Sequence, residues 1–164
     1  MNLFYNLSSI GYAAFQNCTN LVSVTFPPSL RSIGDYGFNN TGLTSLSLNE
    51  GFATFGKYSF RSCGALKTVI IPNSVTALSI QVFQSCGNLT TVIIGTGITS
   101  IGNNCFVGCT KLTSLTIKAT TPPTLGTTAI PNNTNLKIYV PATSIDSYKA
   151  SWSSFANKIQ AIQG

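Results

Sequence analysis

Residues Cys63-Gly64-Ala65-Leu66-Lys67-Thr68-Val69-Ile70-Ile71-Pro72-Asn73-Ser74-Val75-Thr76-Ala77-Leu78 carry the pattern that decides the fold. In Leu66-x-x-Val69-x-Ile71 the last two apolar residues lie two apart, so on an extended strand they share one side while Ile70 takes the other. Pro72 turns the chain, and four residues beyond Ile71 comes the next apolar position, Val75. From Leu78 a second pattern runs on: a hydrophobic residue, usually Gly, two variable positions, a mostly small residue and an aromatic, here Leu78-Ser79-x-x-Val82-Phe83.

Both patterns recur along the chain. The second is found at Ile10-Gly11-x-x-Ala14-Phe15, Ile33-Gly34-x-x-Gly37-Phe38, Phe55-Gly56-x-x-Ser59-Phe60, Ile101-Gly102-x-x-Cys105-Phe106 and, degraded, Leu125-Gly126-x-x-Ala129-Ile130. The first begins at Leu21, Leu43, Leu66, Leu89 and Leu112, with steps of 22, 23, 23 and 23 residues. Leu30, Phe52, Val75 and Ile98 form the column after the corner. The spacing Gly-x-x-small-Phe predicts one helical or 3₁₀ turn that drops an aromatic into the core. One unit cannot bury its own apolar face, so stacked units must share a continuous core. The expected fold class is mainly β with short helical turns, a solenoid of about six 23-residue repeats.

The consensus C-x-x-L-x-x-V-x-I-P-x-x-V-x-x-I-G-x-x-A-F, carried by residues 3 to 141, resembles the BspA-like, or Treponema pallidum-type, leucine-rich repeat family. Departures are Thr41 in the Cys column, Ser79 in the Gly column and Ile130 in the Phe column, all tolerable packing variants. The resemblance implies a right-handed leucine-rich-repeat solenoid. It also implies a bacterial, extracellular or cell-surface protein, adhesion or protein binding as its role, and no catalytic activity.

The chain is expected to divide into a solenoid over 1-141 and a C-terminal helical cap over 142-164 within one domain. Leu3, Leu7 and Ile10 fall where Ile71, Val75 and Leu78 fall in a full unit, so the solenoid starts mid-repeat and Met1 is expected to be a start placed within a longer array. No basic stretch followed by an apolar one opens the chain as an export signal would. Leu136, Ile138 and Val140 read as a last strand stopped by Pro141. Ile145, Tyr148, Trp152, Phe155, Ile159 and Ile162 then recur at steps of three and four, which predicts an amphipathic helix with a Thr143-x-x-Asp146 capping box.

Composition narrows the chemistry. Charged residues are 7% of the chain, while Ser, Thr and Asn number 19, 21 and 15, so hydroxyls and amides make the surface polar. There is no His, and the acids are Asp35, Glu50 and Asp146, which leaves the many Ser hydroxyls without a base. No enzyme and no cofactor are expected. The net charge of +6 arises from missing acids rather than from abundant Lys and Arg, so nucleic acid is not the expected partner. Apolar runs such as Val92-Ile93-Ile94 fall far short of the ~18 residues of a membrane span, and no membrane insertion is expected.

Cys18, Cys63, Cys86 and Cys109 occupy one column, close enough across rungs of about 5 Å for a disulfide by Cα distance. Thr41 in the same column and an odd total of five Cys favour a small buried filler. A zinc site needs four converging ligands and a ladder offers them in a row, so no metal is expected. The sequons at Asn6, Asn17, Asn39, Asn88 and Asn132 follow from composition, and Gly95-Thr96-Gly97 lacks a phosphate-loop Lys. Tyr36 and Tyr58, one rung apart, form either an aromatic step for a sugar or a cover for the corner of the repeat.

Strand alternation points outward the residue between the two final apolar positions of each unit. This aligns Thr25, Ser47, Ile70, Ile93 and Thr116 as one stripe, with Lys67, Thr68 and Thr91 beside it. The others are hydroxyl residues, so Ile70 and Ile93 need a reason: either β-propensity at a strand centre, or the apolar centre of a binding surface rimmed by Lys67, Thr68 and Thr91. The function expected is a non-catalytic binding module that mediates adhesion or protein-protein interaction through the strand face, its partner a protein of host matrix or a neighbouring cell. Glycan binding and a structural spacer role are the alternatives.

Overall fold

The computed structural model describes residues 5–163. Five strands of the repeat face, β3 (Ser45–Ser47), β5 (Thr68–Ile71), β7 (Thr91–Ile94), β9 (Ser114–Ile117) and β11 (Lys137–Val140), pair in parallel with a terminal strand β12 (Ile159–Ala161) into a six-stranded sheet. Six two-residue strands lie after the corners: β1 (Ser9–Ile10), β2 (Ser32–Ile33), β4 (Thr54–Phe55), β6 (Ala77–Leu78), β8 (Ser100–Ile101) and β10 (Thr124–Leu125). They form two parallel sheets, β1-β2-β4 and β6-β8-β10. The break between β4 and β6 falls where Phe55 stands in a column otherwise held by Ile and Leu. Its ring packs edge-on against Phe60 and Phe83, with centroids 6.0 and 5.8 Å away, while the adjoining turns keep the two rungs hydrogen-bonded through Phe60 N to Val82 O.

The core runs the length of the solenoid. Val69 and Ile71, and Val92 and Ile94, point inward and are buried, as are Leu30, Phe52, Val75 and Ile98 after the corners. Phe38, Phe60, Phe83 and Phe106 are fully buried and stack at 5.3, 5.8 and 5.6 Å between centroids. Phe15 joins the stack at 4.8 Å but is only half-buried, because Phe38 covers it on one side alone. Leu3, expected to join the first rung's core, lies outside the described residues.

The predicted helical turn before each Phe is instead a pair of reverse turns with left-handed residues. Gly37 N donates to Gly34 O and Asn39 N to Tyr36 O, with Tyr36 at φ 60° and Asn40 at φ 56°. The same two positions recur in the other described rungs, held by eight further non-glycine residues with φ between 51° and 63° and by Gly108 at φ 79°. Each such residue costs roughly 1–2 kcal/mol, offset by a ladder between rungs at alternate residues. Tyr36, Phe38 and Asn40 donate to the carbonyls of Lys57, Ser59 and Arg61, and Phe60 and Ser62 to those of Val82 and Gln84. The rungs approach so closely that a Cβ on Gly34 would lie 2.9 Å from the Gly11 carbonyl carbon, and one on Gly102 2.8 Å from that of Ser79.

The Cys column has a specific bonding role. The buried thiols of Cys63, Cys86 and Cys109 donate to the carbonyls of Phe38, Phe60 and Phe83 at 3.2, 3.3 and 3.1 Å, and Thr41 bonds the Phe38 carbonyl at 3.1 Å. Thr41 fits the column with a different bond: the thiols reach back to the preceding rung, whereas its hydroxyl donates within its own rung to the same Phe38 carbonyl that Cys63 reaches from the next one. All five cysteines are free, and Cys18 of the first rung is exposed. Burial pushes the Cys63 and Cys105 thiols up; for Cys86 the neighbouring Cys109 thiol and then burial do the same.

The C-terminal segment departs from its predicted helix. Helix α1 spans only Ile145–Ser151, between 3₁₀ turns at Ala142–Ser144 and Ser153–Lys158, and the chain then extends into β12, which pairs with β11. The capping box does not form: Ser144 is the N-cap and no side chain bonds there. Tyr148, Trp152, Phe155 and Ile159 are buried as the spacing requires, while Ile162 is exposed. Tyr148 Oη donates to Ala119 O at 2.9 Å and Trp152 Nε1 to Pro123 O at 3.1 Å, which pins this segment to the loop after β9.

Candidate functional site

The six-stranded sheet sets its outward side chains in rows across the rungs. Ser47 pairs with Ile70, Ile70 with Ile93 and Ile93 with Thr116, so the register aligns these four residues of the stripe. Thr25 is exposed and forms an isolated bridge one rung before β3. Ile70 is 48% exposed and Ser47 is also exposed. Ile93 and Thr116 are half-buried, so the two isoleucines are not equally open: Ile70 protrudes and Ile93 sits lower beside it. A second row runs Ser45, Thr68, Thr91, Ser114 and Lys137, with Thr68 and Thr91 half-buried. Lys67 is exposed at the entry to β5.

Two members of the first row escaped sequence reasoning. Tyr139 pairs with Thr116 and Gln160 with Tyr139, which extends the row to the end of the sheet. Aligning Lys137–Val140 with Thr68–Ile71 would have found Tyr139; nothing local marks Gln160 as a strand residue. The row thus reads Ser, Ile, Ile, Thr, Tyr, Gln, apolar at three of six places and without formal charge.

On another side of the solenoid three tyrosines stack. Tyr36 and Tyr58 lie face to face at 4.6 Å, Tyr12 meets Tyr36 edge-on at 5.9 Å, and the Arg61 guanidinium lies 6.0 Å from the Tyr58 ring. The inner faces of Tyr36 and Tyr58 therefore cover each other. Among the described residues no cluster of three or more His, Cys, Asp or Glu side chains is placed to hold a metal. Asp35 and Glu50 accept the backbone N–H groups of Lys57 and Asn73 one rung on, at 2.7 and 3.0 Å, and so serve the stacking of repeats.

A parallel solenoid of 23-residue rungs with one broad strand face and a shared apolar core defines a leucine-rich-repeat scaffold. The chain belongs to the BspA-type leucine-rich repeat family: the family model for the BspA type Leucine rich repeat region matches residues 1–113 and 76–163, with six copies. Members of this family are generally non-catalytic and serve as protein-binding or structural modules. Among solved structures, the T. pallidum leucine rich repeat protein TpLRR is similar, with 21% identity over 94% of this chain and 79% of that one, at a TM-score of 0.71. A leucine-rich repeat protein from Bacteroides ovatus ATCC 8483 shares 18% identity over 98% of this chain, at a TM-score of 0.68. The pneumococcal vaccine antigen PcpA shares 19% identity over 99% of this chain, at a TM-score of 0.54. The chain covers 54% of the B. ovatus protein and 44% of PcpA. No curated protein matches.

Proposed function

We propose that the chain is the binding module of a surface or secreted bacterial protein, and that its six-stranded face takes a protein partner in adhesion. The observation that carries this reading is Ile70, 48% exposed on β5, one strand in from the β3 edge of the sheet, in register with Ile93 and rimmed by Thr68, Thr91 and Lys67. Thr25, Ser47 and Thr116 extend the surface as a polar border, and Tyr139 adds an aromatic anchor. An apolar centre inside a hydroxyl rim is the anatomy of a protein interface. Residues 1–141 act as the solenoid and 142–164 as its cap within one domain. The placement outside the cell rests on the family.

The test is the double variant Ile70→Thr, Ile93→Thr against arrays of matrix and bacterial surface proteins and of glycans. The wild-type chain is expected to capture a protein, and the double variant to lose it while keeping its melting temperature. Undiminished capture by the variant refutes the face. Capture of glycans alone moves the function to the glycan alternative, and silence on both arrays favours a spacer.

A further inference from the structure

The strand face is not electrically even. Residues 51–145 hold six Lys and Arg and not one Asp or Glu; Lys57 and Arg61 lie on the tyrosine side, whereas Lys67 and Lys137 are exposed at or in strands of the face. At the C-terminal end of the sheet, two adjoining grooves share Thr134 and Asn135; Lys111 and Thr113 line one, and Lys137, Lys158 and Gln160 line the other. Gln160 belongs to the outward row as the register partner of Tyr139, so the basic groove meets the row at its polar end, one strand from Tyr139. Lys111 Nζ donates to Asn88 Oδ1 at 2.8 Å, and Lys158 Nζ to the carbonyls of Asn133 and Thr134 at 2.7 and 3.4 Å. These acceptors are neutral: they hold the ammonium groups in place and leave their charge uncompensated. Lys137 is exposed, two residues from Tyr139 on the same side of β11, about 7 Å along the strand.

We infer that the partner of this face is an acidic protein segment, laid across the rungs with apolar side chains on Ile70, Ile93 and Tyr139 and carboxylates at Lys111, Lys137 and Lys158. The inference rests on the protein-binding reading of the face and names the chemistry of its partner. Charge complementarity selects the carboxylates. The apolar row selects a polypeptide over a sulfated polysaccharide, which has no side chains to bury against two isoleucines. A segment crossing the strands passes successive rungs every ~4.8 Å, so a few extended residues span the distance from Ile93 to the groove.

A phage-displayed library of random dodecapeptides, panned on the full chain in about 50 mM salt, reads the preference directly. Enriched peptides are expected to combine net negative charge with apolar side chains. As synthetic peptides they should bind the Lys111→Gln, Lys137→Gln variant about tenfold more weakly, with a similar loss in about 300 mM salt. Lys158 is left in place because it ties the terminal segment to the Asn133 and Thr134 carbonyls. Circular dichroism melting of the variant confirms that it folds. Neutral or basic enriched peptides, or acidic ones indifferent to the lysine substitutions, overturn the inference. If neutral peptides are enriched and lose affinity for Ile70→Thr, Ile93→Thr, the face stands and only its acidic partner falls. If no peptide is enriched, or the enriched ones ignore the isoleucines, both fall. Heparin bound in place of any acidic peptide also overturns the inference, in favour of a sulfated glycan.

Discussion

Phe83→Ala tests the stacked core at its most enclosed point. The ring is fully buried, parallel to Phe60 at 5.8 Å and to Phe106 at 5.6 Å, with the Phe55 edge 5.8 Å away. Removing it leaves a cavity roofed and floored by rings that the flanking ladders hold in place, so collapse is restricted. The cost expected is about 3–5 kcal/mol, the upper part of that range reflecting two stacked pairs worth about 0.5–1.5 kcal/mol each. For a domain of this size that lowers the melting temperature by about 6–20 °C. Phe15→Ala is the control: it removes the same atoms from a half-buried site with a single stacked partner, Phe38 at 4.8 Å. Its cost should be about half as large or less. Guanidinium denaturation followed by circular dichroism measures both variants. A loss under about 1 kcal/mol at Phe83, or equal losses at the two sites, would refute the reasoning, because the column would then contribute no more at its centre than at its end.

The buried thiols should escape modification: an aromatic disulfide reagent at pH 8 is expected to titrate Cys18 alone in the native protein and all five cysteines after unfolding. Cys63, Cys86 and Cys105 stay protonated in the folded chain above the pH, about 8.5, at which the unfolded chain ionises them. The native state then binds more protons than the unfolded one, so stability is whole below that pH and falls as pH rises beyond it, as denaturation midpoints between pH 7 and 10 would show. Tyr148→Phe strands the buried Ala119 carbonyl and should cost about 1–2 kcal/mol in the same assay, with no change expected for Tyr36→Phe. Deleting residues 142–164 uncovers β11 and the apolar groups beneath Tyr148 and Trp152; light scattering should detect aggregation, and a monomer with an unchanged melting temperature would rule out the capping role.

The core was legible because its determinants are local and repeated: each Phe and each Val-x-Ile pair announces its inward direction by spacing alone, and repetition multiplies the signal. The double turn was not. Its left-handed positions are held by Ala13, Tyr36, Tyr58, Gln81 and other residues that do not advertise positive φ, and hydrogen bonds from the next rung, 23 residues away, impose the conformation. The same non-local cause hid β12. Ile159 and Ile162 continue the helical spacing of Ile145, Tyr148, Trp152 and Phe155, and only the open edge of β11 decides that they extend rather than coil. On the strand face, alternation located Ile70 and Ile93 but gave no measure of height, so the lower seat of Ile93 emerged only from its packing between β5 and β9. The basic groove was invisible for a similar reason: Lys111, Lys137 and Lys158 are widely spaced in the chain and meet only through stacking.

The ladder of turns gives the molecule a direction. Alternate N–H groups on that side all aim towards the following rung and the matching carbonyls all aim back, so the peptide dipoles add along the axis like magnets laid head to tail. One end of such a ladder presents carbonyls and the other N–H groups. Two such ends attract only when unlike. A unit copied into the array, or a rung borrowed from another molecule, joins it in one orientation alone, and two like ends brought together would repel.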